Sequence, residues 1–203
     1  MKIINLEQGS HEWKQWRRNG LGGSDIANLM GLSPFEDATP EFLFREKVEG
    51  LERDTNFSMR RGTSLEPVAR RSLEKMLGAS YTPICVEHDK QPWMKASLDG
   101  CNFDNFRSEI VEIKCPKYTV HDYVLSGLCP DYYAVQCQWQ LLVTGAEVCI
   151  FASYNNGQKF AAKDHLAYLL LYPDAEKQAE ILEKAEEFWG KVYEAKMGAL
   201  AGV

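Results

Sequence analysis

The stretch Trp93-Met94-Lys95-Ala96-Ser97-Leu98-Asp99-Gly100, with Ile110-Val111-Glu112-Ile113-Lys114-Cys115 after it, decides how this chain reads. Both segments alternate with a period of two, the mark of strands. In the first, Met94, Ala96 and Leu98 point one way and Lys95, Ser97 and Asp99 the other. In the second, Val111, Ile113 and Cys115 share an apolar face, opposite Glu112 and Lys114. If the two strands pair as a hairpin, Asp99, Glu112 and Lys114 converge on one surface. Phosphodiester hydrolysis needs such a set. Two carboxylates hold a hard divalent cation that stabilises charge on the phosphate and acidifies bound water. A lysine beside them orients or deprotonates the water, or neutralises developing charge. Taken alone, Glu112 and Lys114 equally describe an amphipathic strand turned to solvent. Leu98-Asp99-Gly100 on a pairing strand separates the two readings.

Working outward, Ser10 caps a short helix holding Trp13 and Trp16, both expected in the core, with Gly20 as its stop. Gly22-Gly23-Ser24 opens a second helix, Asp25–Met30, and Thr39-Pro40 a third that Gly50 ends. Residues 51–62 read as polar loop. Leu65, Val68, Ala69, Leu73, Met76 and Leu77 recur at helical spacing, giving a helix over 64–77. Ile84 and Val86 mark a strand ahead of the central pair. Helical signals return at His121–Leu125 and Asp131–Val143. Glu147–Tyr154 reads as a strand turned at Asn155-Asn156-Gly157 and answered by Lys159–Ala162. A charged helix, Asp174–Met197, follows. Helices, then strands, then helix, strand and helix give an α/β fold with a mixed sheet flanked by helices, read as a single domain over 1–203.

The chain has 203 residues, 45% hydrophobic, enough for one sizeable core. No apolar run is long enough to span a membrane, and the first residues lack an export signal. Six cysteines occur without a C-x-x-C, which points to a reducing cytoplasm. Cys115, His121 and Cys129 fit no standard zinc spacing. The histidines (His11, His88, His121, His165) form no metal-binding pair and are expected on surface or loops. A net charge of −6 argues against a surface coated by nucleic acid, but not against a local basic groove. Arg17-Arg18, Arg60-Arg61 and Arg70-Arg71 are the basic pairs available for one.

Leu98-Asp99 with Glu112-Ile113-Lys114 resembles the PD-(D/E)XK nuclease signature, with leucine where proline is common. The chain is more specifically similar to the phage-type alkaline exonucleases related to lambda exonuclease, the YqaJ-like viral recombinases. Four stretches in the family's order carry this likeness over roughly residues 10 to 155: Trp16 to Asp25 (WRRNGLGGSD), Arg61 to Glu66 (RGTSLE), Ser97-Leu98-Asp99-Gly100, and Tyr132 to Gln138 (YYAVQCQ). The C-terminal helix carries no motif.

The resemblance implies a restriction-endonuclease-like core and a 5′-to-3′ exonuclease on double-stranded DNA that leaves 3′ tails for recombination. It implies one or two Mg²⁺ ions, with Mn²⁺ able to substitute, on Asp99, Glu112, the Ile113 carbonyl and Glu66. Lys114 and Gln136 would handle water and phosphate. It further implies a homotrimer threaded by the duplex, a single-strand annealing protein as partner, and a phage or prophage origin in a bacterial host. Residue chemistry leaves alternatives at several positions. Glu66 also closes a Thr63-x-x-Glu66 capping box. Ser24 is a natural N-cap, yet a Gly-Gly-Ser turn also presents N–H groups to a phosphate, and with Arg17 the resemblance implies a 5′-phosphate pocket. Arg18 reads as solvated surface. Gln140 reads as an exposed polar position, and Tyr133, one turn before Gln136, as a contact to the DNA backbone. An endonuclease on the same scaffold would need a base-reading insertion, and none is evident. An inactive DNA-end-binding protein is the other alternative, against which both acids and the lysine are present.

Overall fold

The structure is a computed structural model that describes residues 1–51, 57–102 and 108–201. In chain order it runs β1 (Lys2–Ile4), α1 (His11–Arg18), α2 (Gly23–Leu29), α3 (Pro40–Glu49), α4 (Phe57–Leu77), β2 (Ile84–Glu87), β3 (Lys95–Leu98), β4 (Gly100–Asn102), β5 (Glu109–Lys114), α5 (Tyr118–Leu125), α6 (Asp131–Thr144), β6 (Val148–Tyr154), β7 (Leu166–Leu171) and α7 (Ala175–Ala201). Strands form an antiparallel sheet ordered β1-β2-β3 and a mixed sheet ordered β4-β5-β6-β7, in which β5 and β6 are parallel.

The hairpin expected of Trp93–Asp99 and Ile110–Cys115 is divided between these sheets. β3 pairs with β2, and the pairing with β5 is made by β4, Gly100 opposite Val111. Asp99 sits at the break, and its Oδ2 accepts the Ile113 N–H at 2.7 Å. The register still places Asp99 beside Glu112 and Lys114, because β4 continues the chain direction of β3.

Period-two alternation on β5 has a buried partner on each side. Val111 and Ile113 pack with Ala69 and Leu73 of α4, together with Ile150 and Ala152 of β6. Ile110 joins the larger core with Phe151, Val135 and Trp139. The face of β5 that carries Glu112 is therefore roofed by α6 and closed to solvent. Trp139 is fully buried, and its Nε1 donates to the Lys95 carbonyl at 2.9 Å, tying α6 to β3. α7 is charged outside but lays Ile181, Ala185, Phe188 and Val192 into the same core.

Four expectations are corrected. Residues 57–62, read as loop, begin α4; residues 52–56 of that loop lie outside the described residues. Thr63 is thus inside a helix, its hydroxyl donating back to the Met59 carbonyl at 3.2 Å, and no capping box holds Glu66. The strand answering β6 is β7, and residues 159–162 form no strand. His121 widens that connection. It is fully buried, its Nε2 donating to the Asp164 carbonyl at 2.8 Å and its Nδ1 2.7 Å from the Ser153 hydroxyl. The surface or loop role expected of His121 is overturned. No described helix is long and apolar enough to cross a membrane.

Candidate active site

Asp99, Glu112, Lys114 and Gln136 line one cleft of about 160 Å³ with Arg17, Ser24, Lys95 and Ser97. The alternation of Lys95, Ser97 and Asp99 thus delivers all three to one place. Glu112 is 2% exposed. Its Oε1 meets Lys114 Nζ in an ion pair and accepts the Gln136 Nε2 amide at 2.6 Å. Oε2 accepts the Gln140 Nε2 amide, also at 2.6 Å. Gln140 is 1% exposed, so its reading as a solvated position is wrong. Burial would depress the Lys114 ammonium, but Glu112 and Asp99 outweigh it and push it above the ordinary lysine range.

Burial, then the charges of Glu112 and Glu66, raise the Asp99 carboxyl well above its ordinary value. Burial likewise raises Glu66 against the opposing charge of Arg70. Arg70, one of the basic pairs proposed for a groove, turns inward. It forms an ion pair with Glu66, and its Nε donates to the Asp99 carbonyl at 2.6 Å. Arg61 likewise donates to the Cys115 carbonyl at 2.8 Å. Helix α4 therefore buttresses both ends of the acidic site through arginines.

Among the described residues, no three His, Cys, Asp or Glu side chains close on one point as a ready-made metal cage. The donor set still suits a hard cation. The charge of Glu112 raises both Asp99 and Glu66, that of Glu66 also raises Asp99, and all three side chains present only oxygen. A divalent cation would relieve that repulsion.

Arg17 also lines the cleft. Its Nη2 donates to the Ser24 hydroxyl at 2.5 Å and lies 3.2 Å from Asp25 Oδ1. Ser24 is not the cap of α2. Gly22 holds that position, and its N–H donates to Asp25 Oδ2 at 2.9 Å. One of the N–H groups expected to be free for phosphate is therefore taken, and α2 is only seven residues long. Lys47, 5% exposed, donates to Asp25 Oδ2 at 2.7 Å and to the Arg17 carbonyl at 3.1 Å. Burial would raise Asp25, but Lys47, Arg17 and the Gly22 N–H together hold it below the usual carboxylate range. Two cations against one carboxylate leave a positive charge here. Arg18 is exposed and donates to the Val48 carbonyl at 3.1 Å.

Trp13 and Trp16, expected in the core, are only half-buried and line the cleft. Their indole N–H groups donate to Ser97 Oγ at 2.8 Å and Glu87 Oε1 at 2.7 Å. Lys95, only 5% exposed, lies 4.7 Å from the Trp16 ring centroid and pairs with Glu87. Tyr133 is outside the cleft lining. Its ring meets those of Tyr132 and Phe151 at a tilt, with Lys114 Nζ 5.4 Å from its ring centroid. Gly23 packs closely here, since a Cβ there would meet Gln136 Cγ at 3.0 Å and Gln140 Cγ at 3.3 Å. Gln140, Lys95, Arg70, Asp25 and Lys47 were missed as site residues. For Gln140 the available signal was a polar side chain on a helix that is apolar around it.

Fold and cleft together define a restriction-endonuclease-like α/β protein, a mixed sheet flanked by helices with its acids at the strand ends. The chain belongs to the YqaJ-like viral recombinase domain family, whose sequence model matches residues 12–147. It is similar to the alkaline exonuclease of Laribacter hongkongensis, with a TM-score of 0.78 and 26% identity over 95% of this chain and 96% of that one. The same enzyme in complex with dAMP superposes with a TM-score of 0.79, also at 26% identity, over 94% of this chain and 96% of that one. A phage-related exonuclease from Haemophilus somnus 129PT shares the fold, with a TM-score of 0.66 at 11% identity over 90% of this chain and 96% of that one. The YqaJ protein of Bacillus subtilis (strain 168) is 28% identical over 210 residues, covering 98% of this chain but 61% of the relative.

Proposed function

We propose that this protein is a metal-dependent deoxyribonuclease that degrades linear double-stranded DNA from its 5′ ends, leaving 3′ single strands for recombination. Kinship with alkaline exonucleases makes it a hydrolase of the nuclease class. The observation that carries the reading is the shared cleft, lined by Asp99, Glu112, Lys114 and Gln136 together with Arg17 and Ser24. Asp99, Glu112 and the Ile113 carbonyl, with Glu66 nearby, would hold Mg²⁺, and Mn²⁺ in its place. The ion supplies charge to the scissile phosphate and acidity to a bound water.

The remaining work belongs to the chain's own residues. Lys114 carries positive charge towards the cleft, and Gln136 fixes Glu112 while presenting its amide to the same space. Arg17 and Ser24 receive a terminal phosphate, which carries more charge than a bridging one and suits a guanidinium and a hydroxyl. A positive cleft in a protein of net charge −6 confines DNA to one path. A homotrimeric ring around the duplex would place that path inside, and a single-strand annealing protein would receive the 3′ tail. The dAMP held by the Laribacter enzyme is the kind of mononucleotide such a reaction releases.

Linear and closed-circular duplexes, each with Mg²⁺ or EDTA, test the proposal. Linear DNA should be digested with Mg²⁺ alone and circular DNA should survive. Cleavage of the circle would make the protein an endonuclease. DNA binding without cleavage under every condition would make it an end-binding protein.

A further inference from the structure

Glu112 enters the cleft with most of its hydrogen-bonding capacity already spent. A carboxylate offers about four lone-pair sites. Oε1 is used twice, by Lys114 Nζ and Gln136 Nε2, and Oε2 once, by Gln140 Nε2. One lone pair remains, on the oxygen that Gln140 holds. Whichever way Gln140 turns Oε2, that lone pair turns with it.

Gln140 is also a poor choice for packing alone. It is 1% exposed, and among the described residues its own buried Oε1 has no hydrogen-bond partner. Flipping the amide would aim that oxygen at the Glu112 carboxylate, so the orientation is fixed by charge. A methionine or leucine would fill the space with no orphaned carbonyl. Buried polar atoms left unpaired mark sites where something other than stability sets the residue.

We infer that Gln140 is a positioning residue that aims the remaining lone pair of Glu112 into the cleft, and so sets how tightly the protein holds its divalent cation. The inference rests on the metal-dependent reading above. Gln136 and Gln140 lie one turn apart on α6, so their amides grip the two carboxylate oxygens as a pair. Gly23 lets α2 press on both side chains from behind.

The test is calorimetric titration of Mn²⁺ into the full chain without DNA, paired with thermal melting of the cation-free protein. Gln140→Met should bind Mn²⁺ on the order of 10–100-fold more weakly, the range for residues that orient metal ligands. Its cation-free melting temperature should stay close to that of the wild type, because the gain from removing the orphaned carbonyl is offset by the amide donor that the buried Glu112 carboxylate loses. Gln140→Asn, whose amide is one methylene too short to reach Glu112, should show the same loss of affinity. Glu112→Gln should bind least. Wild-type affinity in Gln140→Met and Gln140→Asn, with weak binding by Glu112→Gln, would overturn the role of Gln140 and leave the metal site standing. Equally, a fall in melting temperature with unchanged affinity would make Gln140 a packing residue. Wild-type protein that binds no Mn²⁺, or Glu112→Gln that binds normally, would remove the metal site and this inference with it.

Discussion

Replacing Lys47 by methionine keeps most of the side-chain volume and removes one charge from a buried trio. The Lys47 ammonium is 2.7 Å from Asp25 Oδ2, and both side chains are at most one-tenth exposed. Removing one partner of a buried ion pair typically costs about 3–5 kcal/mol, because the other is left as an uncompensated charge. Here the lower end applies. Asp25 keeps the Arg17 guanidinium at 3.2 Å and the Gly22 N–H at 2.9 Å. A loss of about 3 kcal/mol is a large part of the roughly 5–15 kcal/mol that holds a domain together. At roughly 2–4 °C per kcal/mol for a chain of this size, melting should fall by roughly 6–12 °C.

The assay is thermal or urea denaturation of wild type, Lys47→Met, Asp25→Asn and the double variant. Asn at position 25 removes the stranded charge, so the double variant should recover much of the stability that Lys47→Met loses. Non-additivity of that kind is what separates a charge pair from two independent packing residues. Melting of Lys47→Met within about 2 °C of wild type would refute the reasoning. So would strict additivity in the double variant.

Other expected outcomes follow from the same geometry. Asp99→Ala or Glu112→Ala should abolish cleavage while retaining DNA binding in a gel-shift assay, since removing an acid lessens repulsion with phosphate; Lys114→Ala should lose on the order of 10²-fold in rate. Burial and the charges of Glu112 and Glu66 raise the Asp99 carboxyl above its unfolded value near 3.8. That contribution to stability is complete below the unfolded value and is lost as pH rises through the folded one. Cation-free protein should therefore melt lower as pH climbs through that window, and Asp99→Asn should flatten the slope; equal slopes would contradict it. Arg17→Ala should shrink the preference for 5′-phosphorylated over 5′-hydroxyl duplex in a digestion time course, and a wild type that treats both ends alike would end the pocket proposal.

Legibility differed by residue for physical reasons. Asp99, Glu112 and Lys114 were readable because a strand's period of two is rigid. Once Met94, Ala96 and Leu98 are assigned to one face, the position of Asp99 follows. What could not be read was the sheet break, since β3 and β4 are separated by one residue and the alternation runs through it. Hydrophobic pattern reports which side of a strand is apolar, not which neighbour it pairs with. The misplaced strand after β6 has a similar cause. A turn signal at Asn155-Asn156-Gly157 promised an immediate return, and the connection is instead held open by His121, forty-three residues from its partner Asp164.

Gln140 shows where helical reasoning gives out. Treating it as a solvated position assumed that α6 has one wet face, as most helices do. α6 is instead buried from Val135 to Leu141, because α2, α7 and both sheets surround it. On such a helix a polar residue has no water to face and must find protein partners. Gln138 takes the start of α7, its Oε1 accepting the Asp174 N–H at 3.0 Å. Gln136 and Gln140, on the alternate side, both donate to Glu112. The three glutamines of this helix are therefore its internal wiring. Two of them grip an acid whose own strand gives it nowhere to turn but the cleft.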